Sequence, residues 1–157
     1  MDPLPKQPSV ADFVERFAAG MVAAGMPRMP ARVFASLLIR DDGSATASEL
    51  SETLQASPAA ISGAVRYLIQ LRVITRSHRP GERRDVYRLV SDDWYEMIGN
   101  REHELQQWAA LSREGIEAVG PDTSAGRRLH DTARFFEFLT EEMAGLLDRW
   151  HTDVRNR

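Results

Sequence analysis

The chain has 157 residues, 43% of them hydrophobic and 27% charged, with a formal net charge of −3. That length fits one domain, or one small domain with a helical extension, and the absence of cysteine excludes a disulfide framework, a thiolate metal site and a cysteine nucleophile. The N-terminal MDPLPKQPSV lacks the basic and apolar regions of a signal peptide, and nowhere do about 18 apolar residues run together, so a soluble, cytoplasmic protein is expected.

Residues 1–8 hold three prolines and are expected to form a flexible tail. A helix contributing to dimerisation is expected over 9–25: Ser9 and Asp12 resemble a capping box, and Val10, Phe13, Val14, Phe17, Ala18, Met21 and Val22 follow at three- and four-residue spacing. Met26-Pro27-Arg28-Met29-Pro30 breaks the chain. Pro30 suits the first turn of a second helix, whose buried face is Val33, Phe34, Leu37 and Leu38 and which closes at Asp41-Asp42-Gly43. Thr46 and Glu49 form a cleaner capping box, ahead of a short helix that turns Leu50 and Leu54 to the core. Ala56 and Ser57 make a tight turn, and Ser57 as N-cap with Pro58 at N1 starts the next helix. There Ile61, Val65, Leu68 and Leu71 share one face, while Ala59, Ala60, Ser62, Gly63 and Arg66 lie largely on the other. Strands are expected over Val73–Ser77 and Val86–Val90, joined through a charged tip centred on Pro80-Gly81 as a two-stranded hairpin.

From Ser91 a long helix is expected to carry Trp94, Met97, Ile98, Leu105, Trp108 and Leu111. Gly120-Pro121-Asp122 breaks it. In the last helix Leu129, Phe136, Met143 and Trp150 recur every seven residues, with Leu139 and Leu146 between them. A seam that long exposes more apolar surface than one short domain covers, which points to contact between subunits. The expected organisation is a tail (1–8), an N-terminal helix (9–25), a DNA-binding unit (26–90) and a C-terminal helical dimerisation region (91–157). In fold class the chain is mainly α with a small β-hairpin wing.

The negative net charge conceals a partition. Residues 66–88 carry seven arginines against Glu82 and Asp85, a net +5, whereas the segments before and after are acidic. The basic window overlaps the two short helices and the hairpin, as a phosphate-contacting surface would.

The run ATASELSETLQASPAAISGAVRYLIQLRVI, the basic PGERRDVYRL segment and the helices on either side resemble a MarR-type winged helix-turn-helix regulator, most nearly the GbsR-like branch. The resemblance covers nearly the whole chain. It implies a homodimer held by its first and last helices, here Val10, Phe13 and Phe17 with Phe136, Leu139, Met143, Leu146 and Trp150, bound to a pseudo-palindromic operator on double-stranded DNA. It also implies small-molecule effectors acting through a cleft between the dimer region and the reading heads. The chain departs from many relatives in the small, nearly uncharged outer face of its recognition helix.

A helix lying in a major groove about 12 Å wide needs a small face with one or two long readers. Ala59, Ala60, Ser62 and Gly63 meet the first requirement, and Arg66 is the candidate for a base edge or a phosphate. A mid-helix glycine costs about 0.8–1 kcal/mol relative to alanine, so Gly63 either admits DNA closely or packs under a neighbouring helix. Ser57 is an N-cap that could also meet DNA, and the free N–H groups of Ala59 and Ala60 suit a phosphate. Arg79, Arg83 and Arg84 form the wing's contact set, and Asp85 either orients a neighbouring arginine or is an ordinary solubilising charge. Phe17, Met21, Phe34, Trp94, Met97 and Trp108 either line an effector cleft or are plain core. The four histidines are scattered, and neither a phosphate loop nor a nucleophile elbow is present, so no enzyme activity, metal or cofactor is expected. The expected function is a repressor acting through promoter occlusion. The alternative is a winged-helix protein-interaction module without DNA binding.

Overall fold

A computed structural model describes residues 9–78, 80–81, 83–95 and 101–155. The chain divides into two compact units, residues 1–94 and 95–157.

The first unit begins with α1 (Val10–Ala23). Both halves of its capping box form, Ser9 and Asp12 each accepting from the other's backbone N–H. Those bonds, the Ser9 side chain foremost, hold the Asp12 carboxyl below its ordinary pKa, so the cap is complete above the usual carboxylate range and is lost as acid protonates it. Val14 and Ala18 turn inward onto α2 (Arg28–Leu38), which is buried on nearly every side through Ala31, Val33, Phe34, Ala35, Ser36 and Leu37. Pro30 falls in the first turn of α2, as its fixed φ favours. Leu38 is only half-buried.

Next comes a strand that the sequence did not announce, β1 (Ser44–Thr46), and then α3 (Ala47–Leu54), α4 (Pro58–Gln70), β2 (Ile74–His78) and β3 (Asp85–Leu89). The expected two-stranded hairpin is therefore a three-stranded antiparallel sheet in the order β1-β3-β2. Ser44 pairs with Arg88, Ala45 with Tyr87 and Thr46 with Val86; on the other side Ile74 pairs with Leu89 and His78 with Asp85. Three small residues have no alternating pattern to read. What makes them a strand is the row of N–H and C=O groups that β3 would otherwise leave unpaired. The capping box of Thr46 and Glu49 also forms, so one residue both ends β1 and caps α3.

Beyond β3 the expected helix from Ser91 is absent over its first residues. Asp92–Tyr95 make a turn in which the Ser91 hydroxyl accepts from the Asp93 N–H. Trp94 meets Phe34 edge-to-face, ring centroids 4.7 Å apart, instead of lying on a long helix. Met97 and Ile98 lie outside the described residues. The sequence places Gly99-Asn100, a breaker pair, just ahead of the observed start.

The second unit is a helical hairpin of α5 (Glu102–Val119) and α6 (Ser124–Arg149), followed by a π-helical turn over Trp150–Val154. Leu105, Ala109 and Ser112 of α5 and Gly126 and Ala133 of α6 are buried between them. Trp108 meets Phe136 at 5.3 Å and Leu129 lies over Gly115, a descending register that makes the pair antiparallel, and Arg113 donates to Glu137 at 2.9 Å. Gly126 is obligatory: a Cβ there would stand 2.1 Å from the Gly120 carbonyl oxygen. The heptad seam read from the sequence divides in two. Leu129 and Phe136 are drawn toward α5, whereas Leu139 and Leu146 lie on a side of α6 shared with Phe135 and Phe138.

Candidate nucleic-acid interface

Presentation of α4 depends on the turn before it. α3 ends at Leu54, Gln55 takes a left-handed conformation (φ 49°), and Ser57 caps α4 by accepting from the Ala60 N–H at 3.2 Å. The Ser51 hydroxyl donates to the Ala56 carbonyl inside the turn. Arg32 reaches from α2 to donate to the Leu54 carbonyl at 3.0 Å. α4 then buries Ile61, Ala64, Val65 and Leu68, and Leu71 at its end is only half-buried. Ser57, Ala59, Ser62, Gly63 and Arg66 are exposed and Ala60 half-buried, so the expected reading residues share the outward face of one helix.

A Cβ built on Gly63 would meet nothing within 4 Å. Packing under a neighbouring helix thus finds no neighbour among the described residues. The glycine keeps a flat, open spot in the middle of that face.

The wing is β2 and β3 with their connection. Arg83 and Arg84 are exposed, and neither they nor Arg66 has an ion pair among the described residues; Arg79 lies outside them. Asp85 does orient an arginine, but it is Arg76 across the strand pair, and the same carboxylate lies 3.3 Å from His78 Nδ1. The Asp85 hydrogen bond raises the pKa of Arg76 above an already high value, so this charge is permanent. Arg88 donates to the Asp42 carbonyl at 3.2 Å, tying β3 to the turn that precedes β1. The nominal charge of the basic window is therefore not all available: Arg76 and Arg88 are engaged within the chain, while Arg66, Arg72, Arg83 and Arg84 are exposed. The sequence reading passed over Arg72, which follows α4 at φ 59°. Its place at the mouth of the wing depends on a backbone state that side-chain pattern does not reveal.

The residues expected to line an effector cleft are divided between the first unit, the second unit and residues outside those described. Phe34 is fully enclosed against Trp94, Phe17 is half-buried and stacked on Phe13 at 5.5 Å, and Met21 is half-buried. Met97 lies outside the described residues, and Trp108 belongs to the second unit. A cavity of about 380 Å³ opens in the first unit, lined by Glu15, Ala18, Ala19, Val22, Arg28 and Arg32 of α1 and α2. Of the expected subunit-contact residues, Val10 is 67% and Leu146 51% exposed and Phe13 is exposed; Phe17, Phe136, Leu139, Met143 and Trp150 are half-buried. Trp150 rests edge-on against Tyr95. Among the described residues no three metal-ligating side chains gather, and no helix is long and apolar enough to cross a membrane.

A MarR-family sequence model matches residues 24–85, from the end of α1 into β3, and an MmpR5-like MarR-family transcriptional regulator model matches residues 92–153, covering α5 and α6. Two models of MarR-family regulators thus match separate segments of this chain. The HTH-type transcriptional regulator MmpR5 of Mycobacterium tuberculosis is 27% identical to it over 155 residues, 96% of this chain and 92% of that protein. A crystal structure of a transcriptional regulator superposes with a TM-score of 0.79 at 25% identity, covering 90% of this chain and 97% of the other. The fold is thus shared over 90% of this chain, with a winged helix followed in sequence by a helical hairpin. The model matching the trailing helices is MmpR5-like; the GbsR-like branch rests on the sequence resemblance alone.

Proposed function

We propose that this regulator acts as a homodimer on a pseudo-palindromic operator, two copies of α4 entering successive major grooves while the wings flank them, and that it represses by occluding the promoter. The observation that carries this reading is the outward face of α4: small at Ala59, Ser62 and Gly63, open above Gly63, and bearing the exposed Arg66, with Arg83 and Arg84 exposed on the wing. The Ala59 N–H at the start of α4 suits a phosphate, with Ser57 beside it; the Ala60 N–H is taken by the Ser57 hydroxyl. Arg79 belongs to the same set by its place in the sequence. Dimerisation is supported by the apolar stripe of Phe135, Phe138, Leu139 and Leu146 on α6, and the GbsR-like resemblance adds the first helix to that interface. Release by a small-molecule effector requires different affinities for two states of the dimer. Acting on DNA, the protein works in the cytoplasm.

Selection of bound duplexes from a random pool tests the reading directly. A two-fold symmetric consensus with half-sites about 10 base pairs apart is expected, with affinity falling steeply as salt rises. A pool that shows no enrichment would overturn it and leave an interaction module.

Gly63 gives a separate expectation. In Gly63→Ala the new methyl finds open space in the chain and removes the helix cost of glycine, so thermal stability should rise by about 0.8–1 kcal/mol. Operator affinity should fall, because the methyl stands where DNA must approach. Thermal melts and titrations of the same preparation would show both; unchanged or tighter binding would remove Gly63 from the contact face.

A further inference from the structure

We propose that Arg32 is a positioning residue that couples α1 to the turn presenting the recognition helix. Resting on the DNA-binding reading above, the proposal names the route by which a displacement of α1 reaches the reading head.

Arg32 belongs to α2, yet its hydrogen bonds leave that helix in two directions. Toward α1, Nε and one terminal nitrogen both lie 2.7 Å from the same Glu15 carboxylate oxygen. Toward α3, that terminal nitrogen donates to the Leu54 carbonyl at 3.0 Å, and the other approaches Met29 Sδ at 3.9 Å. Leu54 is the last residue of α3, so its carbonyl is one of those a helix end leaves without an intrahelical donor. The next residue, Gln55, is the left-handed one, and its neighbour Ala56 is bound back to Ser51. Arg32 therefore grips the chain at the point where α3 stops and the path into α4 is set.

The guanidinium is suited to this because it is planar, permanently charged and forked, so contacts in different directions are fixed relative to one another. A lysine ammonium could satisfy Glu15 or Leu54 but would not transmit an angle between them. The side chain of Arg32 is 18% exposed and that of Glu15 46%, so the carboxylate is free to leave while the arginine is held. When α1 shifts, Glu15 departs or drags the fork, and the Leu54 carbonyl loses or follows its donor. Neither residue contributes to the outward face of α4, so the effect falls on where the recognition helix points and leaves the phosphate contacts in number unchanged.

The test uses the full chain with Glu15→Gln and Arg32→Met, read by hydrogen exchange at the Gln55 and Ala56 amides and by affinity for a selected operator against random duplex. Both variants should exchange faster at those two amides, with α5 and α6 unaltered. The ratio of operator to random affinity should drop, by about tenfold for Arg32→Met, within the usual range of coupling between sites; the salt slope should stay that of the wild type. Should Arg32→Met fail to fold, Glu15→Gln carries both readouts. Unaltered exchange at Gln55 and Ala56 overturns the proposal. Faster exchange with an unaltered affinity ratio also overturns it, leaving Arg32 a structural residue. A wild type that binds no duplex sinks the DNA reading and this proposal together, an outcome distinct from either of those.

Discussion

Replacing Arg66, Arg83 and Arg84 together with alanine should reduce operator affinity by about a hundredfold or more and flatten its salt dependence. Each phosphate contact contributes about 0.9 to the slope of log affinity against log salt, so six arginines lost from a dimer should lower that slope by roughly 5 if all six meet phosphates. A smaller change would count how many read bases instead. The effect should be confined to binding. All three side chains are exposed, and substitutions at such positions usually move stability by no more than about 0.5 kcal/mol each. Arg76→Ala and Arg88→Ala are suitable controls, because Asp85 and the Asp42 carbonyl already engage those side chains. Electrophoretic or anisotropy titrations at three salt concentrations would decide the matter. Operator binding within twofold of wild type would leave the winged helix without its assigned contact set.

The second large effect concerns assembly. Phe135 and Phe138 are each 55% exposed, and they share a side of α6 with Leu139 and Leu146. Burying a phenylalanine side chain contributes about 1.5–3 kcal/mol. Since each ring is only about half exposed, a symmetric dimer of Phe135→Glu with Phe138→Glu loses about half that burial at four side chains, at least about 3 kcal/mol, before the cost of burying four carboxylates. At about 1.4 kcal/mol per decade the dissociation constant should rise by two decades or more. Light scattering at micromolar concentration should then show a dimer for the wild type and a folded monomer for the double variant. The fold itself should survive, since the α5-facing side of the helix holds Gly126, Leu129, Ala133 and Phe136 and is untouched. A monomeric wild type, or a double variant that remains dimeric, would refute the assignment of this stripe.

What could be read from the sequence followed from short-range chemistry. Ser9 with Asp12, Thr46 with Glu49 and Ser57 with Pro58 each mark a helix start because their hydrogen bonds span only three residues, and the structure forms all three caps. The alternation of small and large residues along α4 likewise separates its two faces. Features decided at longer range stayed hidden. β1 exists because β3 needs a partner; Asp85 takes Arg76, which is nine positions away and not adjacent; and Arg88 is engaged by a carbonyl 46 residues upstream. On α6 a strict seven-residue count favoured Leu129, Phe136, Met143 and Trp150, and it missed Phe135 and Phe138, which only the position of α5 reveals as outward-facing.

The order β1-β3-β2 has a further consequence for life at high concentration. A sheet invites strangers along its outer strands, where unpaired backbone groups can template another chain. Here one border is only three residues long and buried, and the other, β2, presents Thr75, Arg76 and His78 to solvent, with a permanent positive charge at Arg76. A second molecule offering its own β2 would have to desolvate the ion pair that Arg76 makes with Asp85. The side chains that decorate the wing thus also keep it from seeding aggregates, so the protein can hold a small sheet out into solvent without that sheet recruiting its neighbours.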